Sequence, residues 1–316
     1  MTTISPALNA LLQEVTSNLK LYHDRAARVF HGRGHAFSSL EYLNIEWYPP
    51  YLFVQNFTHA LDQDTQKALK TLMHEEEQKK AYQVEAILIQ NRYGPEITTE
   101  ILAEKSHTEL PLTIWSPLNE SLSCQVTLGK NRNTGVFLDM RAGWDWVLNN
   151  STHQRVLNLF SYTGVFSLFA LKGQAANVVN IDMASGALKT AQRNHQFNQC
   201  SDGKASFYKR DILKSAQQFS RMGPYDLIII DPPPYQRKSF TGWADYQKLL
   251  TRCEKSLNEQ GKILACLNNP QVRMNEFIKN IHELLPSARL LEKIDSSPEI
   301  KEQDENKGLK IVAIHF

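Results

Sequence analysis

From Arg155 onward the chain repeats one pattern: short apolar runs near 156–160, 178–181, 205–208, 225–230, 262–267, 289–293 and 309–315 alternate with stretches of helical length. A strand reaches a parallel neighbour only through a long crossover, so this alternation predicts a doubly wound, mostly parallel α/β sheet of seven strands. The upstream half reads differently. Leu8, Leu11, Leu12, Val15, Leu19 and Tyr22 recur at helical spacing and predict an opening amphipathic helix packed on a core. The runs 51–57, 84–90 and 124–128 read as strands around a charged helical segment at 65–80. Two domains are expected: a smaller N-terminal α+β domain, residues 1–130, and the α/β domain, residues 131–316. The polar stretch Ser296–Lys307 reads as a loop before the last strand.

Composition removes several classes. With 316 residues and 42% hydrophobic content the chain can bury sizeable cores. A formal net charge of +2 means that any contact with nucleic acid must come from a local basic patch. Cys124, Cys200, Cys253 and Cys266 lack CxxC pairing, which argues against a zinc site and a disulfide framework. No metal is expected. No run approaches the roughly 20 apolar residues of a membrane span, and the N-terminus lacks a signal-peptide pattern, so a cytoplasmic protein is expected.

In such a sheet, ligands lie outside the carboxyl ends of the strands. Leu157–Phe160 is apolar enough for a central strand, and Phe160-Ser161-Tyr162-Thr163-Gly164 is the turn into the next helix, with Gly164 supplying backbone freedom. A dinucleotide site of the Rossmann type needs G-x-G-x-x-G so that backbone can approach a pyrophosphate; here the turn carries one glycine. A cofactor without phosphates, S-adenosylmethionine, fits this Rossmann-like turn better. Its amino-acid end would meet Asn158, the loop backbone and the hydroxyls. Asp182, with Met183 after it, stands about 20 residues on, where an acid takes ribose hydroxyls; a helix cap is the alternative. Asp211 could accept from an adenine amino group with Ile212 on the ring, or could equally be a cap.

The third feature is Asp231-Pro232-Pro233-Pro234-Tyr235, after the β-branched run Tyr225–Ile230. Proline fixes φ and donates no hydrogen bond, so this loop leaves the sheet ladder with little freedom to lose on binding. Asp231 sits where chemistry is presented, and Tyr235 offers a face on which a planar acceptor can stack. Methyl transfer from a sulfonium is an in-line displacement that demands positioning more than acid–base work. A ring nitrogen with a free lone pair needs no base; an exocyclic amine needs acceptors such as Asp231. Cytosine C5 needs a cysteine thiolate.

These segments, together with Asn133–Arg141 (NTGVFLDMR) and Gly261–Asn269 (GKILACLNN), resemble the bacterial class I S-adenosylmethionine-dependent methyltransferases that modify 23S ribosomal RNA. The resemblance covers most of residues 115–316. It implies a methyltransferase whose partner is RNA, 23S rRNA or a precursor, and it places Asp139 and Arg141 near cofactor or substrate; an ion pair linking the domains is the plainer reading of those two. The family divides into cytosine-C5 and guanine-N7 types. Where the C5 type has a nucleophilic cysteine this chain has Asn268-Asn269, which favours N7, with Asn268 lining the pocket; Cys266, two residues earlier, is either a displaced nucleophile or core. The PUA-type domain that opens the C5 type is not recognisable, and residues 20–130 resemble the middle domain of those enzymes. A protein or small-molecule N-methyltransferase and a non-catalytic RNA-binding relative stay open as alternatives.

Two basic features complete the reading. Arg25, Arg28, His31, Arg33 and His35 cluster around the Gly32/Gly34 turn, and such a loop can follow a phosphate backbone. Arg237 and Lys238 after the reaction loop could meet phosphates beside the acceptor.

Overall fold

The structure, a computed structural model, describes residues 5–73, 82–200, 203–233 and 242–316. The chain divides into two compact units: Met1–Asp139 with Ser297–Glu305, and Met140–Ser296 with Asn306–Phe316. The sequence division at 130/131 did not foresee that the polar stretch near the C-terminus joins the first unit. There, Gln303 N donates to Gly34 O at 2.7 Å and Lys301 Nζ to Glu14 Oε2 at 2.7 Å.

The first unit opens with helix α1, Pro6–Leu21, whose start is capped by Ser5 Oγ accepting from Leu8 N. Its apolar stripe, Leu8, Leu11, Val15 and Leu19, is buried. It packs on strand β1 (Ala27–His31) of a five-stranded sheet completed by β2 (Leu43–Tyr48), β3 (Tyr51–Asn56), β4 (Ala86–Asn91) and β5 (Thr98–Glu104). β3 and β4 are parallel, joined through helix α2 (Gln63–Thr71); the other neighbours are antiparallel. A separate hairpin, β6 (Leu112–Pro117) with β7 (Ser123–Leu128), completes the unit. Periodicity found β3, β4 and β7. It missed β1, whose five residues are all buried and therefore show no alternation.

The second unit begins with helix α3, Arg141–Asn150. Strands β8 (Arg155–Leu159), β9 (Asn177–Asp182), β10 (Ala205–Lys209), β11 (Tyr225–Ile230), β12 (Leu257–Leu267), β13 (Leu290–Ile294) and β14 (Lys310–His315) form one sheet in the order β10-β9-β8-β11-β12-β14-β13. The first five run parallel and β14 is antiparallel to both of its neighbours, so the expected doubly wound, mostly parallel sheet is what forms. Helices α4 (Val165–Lys172) and α5 (Ser185–Phe197) cover one face, with α3 against α4. α6 (Ala216–Met222), α7 (Trp243–Glu254) and α8 (Met274–Leu284) cover the other, over a core that includes Leu157, Ile181, Ile228, Ile230, Phe219, Tyr246 and Phe277. Burying each such side chain contributes about 1.5–3 kcal/mol.

Sequential strands step outward from β8 to β10, and the chain then returns to place β11 on the other side of β8. The order therefore reverses between β8 and β11, the switch point at which open α/β sheets hold ligands. No helix among the described residues is long and apolar enough to cross a membrane.

Candidate functional site

Beyond Leu159 the backbone leaves the strand through three left-handed residues, Phe160 (φ 56°), Tyr162 (φ 47°) and Gly164 (φ 79°). A non-glycine residue in that region costs about 1–2 kcal/mol, and such strain persists only where the surrounding structure imposes it. Here it does. Ser161 N donates to Ile181 O (3.1 Å), Gly164 N to Ser161 O (2.8 Å), and Asn194 Nδ2 of α5 to Thr163 O (2.9 Å). Gly164 is required twice over: besides its φ, a Cβ there would lie 3.0 Å from Ala191 Cβ and 3.1 Å from His195 Cε1. The glycine serves the approach of α4 to α5.

Asp182 ends β9 and ties the turn to the next helix. Its Oδ2 accepts from Tyr162 N at 2.9 Å and its Oδ1 from Ala184 N at 2.7 Å. Two backbone donors fix the half-buried carboxylate, and each oxygen retains capacity for a further hydrogen bond. Met183 beside it is 37% exposed. Asp211, after β10, behaves as a cap: Oδ1 accepts from Lys214 N at 3.2 Å and its carbonyl from Ser215 N at 2.9 Å. Ile212 is 3% exposed and packs into the core, so its side chain is not presented to a ring.

Ser161 Oγ in the turn is buried without a hydrogen-bond partner among the described residues. An orphaned buried hydroxyl costs about 1–3 kcal/mol unless a ligand meets it. A polar orphan in a one-glycine turn, next to a fixed carboxylate and an exposed thioether side chain, fits S-adenosylmethionine and lacks the backbone cradle that a pyrophosphate needs.

Asn158 lies one step deeper in the strand than the turn. It is 1% exposed and lies on the face covered by α4 and α5. Its Nδ2 donates to Asn180 Oδ1 (2.9 Å), Asn180 Nδ2 donates to Ser167 Oγ (3.0 Å), and Ser167 Oγ lies 2.8 Å from His195 Nε2. His195 Nδ1 is 2.7 Å from Ala191 O, a pure acceptor; Nδ1 therefore carries the proton and Nε2 receives the serine hydroxyl's. Burial lowers the His195 pKa, which keeps the ring neutral. Asn158 Nδ2 thus belongs to this buried chain behind the turn, while its Oδ1, like Ser161 Oγ, is buried without a hydrogen-bond partner among the described residues. Sequence reasoning missed Asn180, Ser167 and His195. The available signal was a lone asparagine in each of two apolar strands, VLNLF and VVNID, at positions that pair across the sheet.

β11 delivers Asp231, Pro232 and Pro233 beside the turn, since Ile230 pairs with Leu159 of β8 and with Ala265 of β12. Asp231 is half-buried. Burial first, and then the Asp231 carboxylate, hold the Cys266 thiol well above its usual range; Cys266 is 0% exposed. Tyr246, raised well above the usual phenol range chiefly by burial, donates from its hydroxyl to Cys266 O at 3.0 Å. The thiolate is the reactive form, and burial of this depth disfavours it. Asn268 is exposed just past the end of β12, and Asn269 Oδ1 accepts from Gln271 N at 3.0 Å. Pro234, Tyr235, Arg237 and Lys238 lie outside the described residues.

Most of the NTGVFLDMR segment belongs to the first unit. Thr134 Oγ1 meets Tyr48 Oη at 2.8 Å, and Tyr48 donates to Glu46 Oε2 at 2.8 Å. Glu46 Oε1 accepts from Arg28 Nη2 at 2.8 Å, and Arg28 Nη1 reaches Asp139 Oδ2 at 3.3 Å. His31 Nε2 stands 3.2 Å from Glu302 Oε1. Burial would lower the Arg28 pKa, but the Asp139 and Glu46 carboxylates hold it above the usual range. One expectation is corrected. Arg28 and His31, each 7% exposed, are buried and paired within the fold instead of lining a phosphate-binding loop; Gly32 beside them is there because a Cβ would lie 2.1 Å from Leu40 O. Asp139, the last residue of the first unit, accepts from Arg28 within that unit. Arg141 opens α3 in the second unit, 8% exposed, with its guanidinium 6.0 Å from the centre of the Trp144 ring. Among the described residues no group of three or more His, Cys, Asp or Glu is arranged to hold a metal.

Residues 27–315 match the family described as S-adenosylmethionine-dependent methyltransferase. Two similar curated proteins are both named ribosomal RNA large subunit methyltransferase I. The one from Aeromonas salmonicida is 31% identical over 170 residues, 54% of this chain and 41% of its own length. The one from Vibrio cholerae is 28% identical over 196 residues, 61% of this chain and 48% of its own length. The chain thus spans about half of these relatives or less. A methyltransferase solved in complex with SAH shares the fold at a TM-score of 0.81 and 21% identity, covering 100% of this chain and 83% of that one.

Proposed function

The chain belongs to the S-adenosylmethionine-dependent methyltransferase family, and on that premise we propose that it methylates a base of ribosomal RNA, guanine N7 in preference to cytosine C5. The observation that carries this reading is the pairing of β8 with β11 at the switch point, which brings the Phe160–Gly164 turn and Asp231-Pro232-Pro233 to one edge of the sheet. When bound, the cofactor supplies an electrophilic methyl carbon. In this reading the chain's own residues do the rest. The Ser161 hydroxyl, the turn backbone and Thr163 hold the amino-acid end. Asp182, its carboxylate already fixed by two amides, takes the ribose hydroxyls, and Met183 covers the apolar side. Asp211 keeps its place at the adenine end as a capped turn residue rather than through Ile212.

Asp231 positions the acceptor, Pro232 and Pro233 stiffen its loop, Tyr235 stacks on the base and Asn268 lines the mouth. Arg141 stands at the same edge in this proposal. Holding donor and acceptor at about 3–3.5 Å in line is the main catalytic demand, worth up to roughly 7–11 kcal/mol. N7 of guanine brings its own lone pair, so no base is needed. The buried Cys266 supports that acceptor, because the C5 route needs a thiolate. The names of the curated relatives support large-subunit ribosomal RNA or a precursor as the partner, in the cytoplasm, with the first unit contributing to RNA binding.

The test is to incubate the purified chain with methyl-labelled donor and protein-free 23S rRNA, and to identify the labelled nucleoside by mass spectrometry. Label in 7-methylguanosine is expected. Label in 5-methylcytidine would overturn the choice of atom, and label only in protein or small molecules would overturn the RNA acceptor.

A further inference from the structure

The first unit carries a group of cations that its own carboxylates do not neutralise. The guanidinium carbons of Arg33 and Arg92 lie 4.7 and 5.4 Å from the centre of the half-buried Phe57 ring. Arg92 is held in place by uncharged acceptors: Nε donates to Gln90 Oε1 at 2.7 Å and Nη2 to the Arg132 carbonyl. Gln90 Nε2 in turn donates to Asn131 O at 2.9 Å, which binds β4 to the 130–132 segment. Lys130, Arg132 and Arg33 are exposed, and Tyr93, next to Arg92, is 41% exposed. Among the described residues none of Arg33, Arg92, Lys130 and Arg132 forms an ion pair.

The contrast with Arg28 in the same unit is instructive. Arg28 is buried and matched by Glu46 and Asp139, as a structural cation must be. Arg92, by contrast, is half-buried and makes no ion pair among the described residues; burial pulls its pKa down to about 10, with the Glu46 carboxylate opposing the fall and Arg132 and Arg28 adding to it. It remains charged at neutral pH. Two guanidinium groups over one aromatic side chain, two more cations on the 130–132 segment tied to the same strand, and a second, exposed aromatic next in sequence make a surface that suits a flexible chain of phosphates carrying stackable rings.

We propose that Arg33, Phe57, Arg92, Tyr93, Lys130 and Arg132 form an RNA-binding surface on the first unit, with the cations on phosphates and Tyr93 stacking on an unpaired base. This rests on the RNA methyltransferase reading and names the residues by which the first unit takes part. It also relocates the basic surface that the sequence suggested: of the cluster around Gly32, Arg33 belongs to it, whereas Arg28 and His31 do not.

The test uses the full chain and fluorescently labelled, protein-free large-subunit rRNA fragments, with affinity measured from 50 to 300 mM salt. The triple variant R33A/K130A/R132A removes three exposed cations. Every phosphate that is no longer neutralised lowers the salt slope by about 0.7–0.9, so the slope should fall by roughly 2 and affinity at 0.1 M salt by roughly a hundredfold. Y93A should weaken single-stranded fragments more than duplex ones. A control triple variant, K20A/K67A/K70A on α1 and α2, removes the same charge and should bind as wild type. Cofactor affinity, measured by calorimetry, should be unchanged in all variants. A triple variant that binds RNA like wild type, or a control that loses as much, overturns the surface while leaving the RNA reading standing. Wild-type protein that binds the cofactor but no RNA overturns both.

Discussion

Replacing Ser167 by Ala should loosen the cofactor turn from behind, and its cost can be worked from the hydrogen bonds. Ser167 is 0% exposed; it accepts from Asn180 Nδ2 and donates to His195 Nε2. Asn180 Nδ2 keeps a second acceptor, Ser206 O at 3.3 Å, so its loss is small. His195 Nε2 is left as a buried acceptor with no donor, because the ring's one proton is committed to Ala191 O. An orphaned buried polar group costs about 1–3 kcal/mol and the missing bonds about 1 more, so a loss of roughly 2–3 kcal/mol is expected. The ring it frees abuts Gly164, so cofactor affinity should fall as well.

Native-state hydrogen exchange at Leu157–Leu159 and Val179–Ile181 reads the local loss directly, and calorimetry reads cofactor binding. A double-mutant cycle with His195→Leu sharpens the test. Once both polar partners are gone no orphan remains between them, so the double variant should cost less than the sum of the two by about 1–2 kcal/mol. A Ser167→Ala protein within about 0.5 kcal/mol of wild type, or a strictly additive cycle, would refute the argument that this chain of bonds supports the turn.

Other expectations follow from the same geometry. His195 is held neutral in the fold with its pKa below 6.5, so the unfolded state binds more protons beneath that value; its contribution is complete above pH 6.5 and is lost as pH falls below it. Urea unfolding at pH 7.5 and 5.5 should therefore show a smaller acid-induced loss in His195→Gln than in wild type, and an equal loss would count against a buried neutral ring. Gly164→Ala combines a left-handed penalty of about 1–2 kcal/mol with the close approach to Ala191 and His195, and should destabilise by roughly 2–4 kcal/mol in thermal unfolding. Asp231→Ala should abolish methyl transfer while calorimetric cofactor affinity stays within a few-fold of wild type; parallel loss of both would end the division of roles drawn between Asp231 and the turn. Cys266→Ala should leave the transfer rate within a few-fold of wild type, whereas loss of transfer with retained cofactor binding would restore the cysteine as nucleophile.

What could be learned from the order of residues alone is what local physics writes into it. Strands buried on both faces, such as VLNLF and YDLIII, are continuous apolar runs, and their alternation with helices forces parallel crossovers; the seven-stranded sheet followed from that alone. Gly164, Asp182 and Asp231 stood out as candidates because each follows such a run, at the edge where sheets of this kind hold ligands. Partnership was not legible. Whether Arg28 faced water or Glu46 and Asp139, and which side chain would meet the Asn158 amide, depended on groups 18 to 111 positions away in sequence for Arg28 and 22 for Asn158. Polar side chains take their meaning from the partners that desolvation compels them to find, and only the tertiary structure brings those partners within reach.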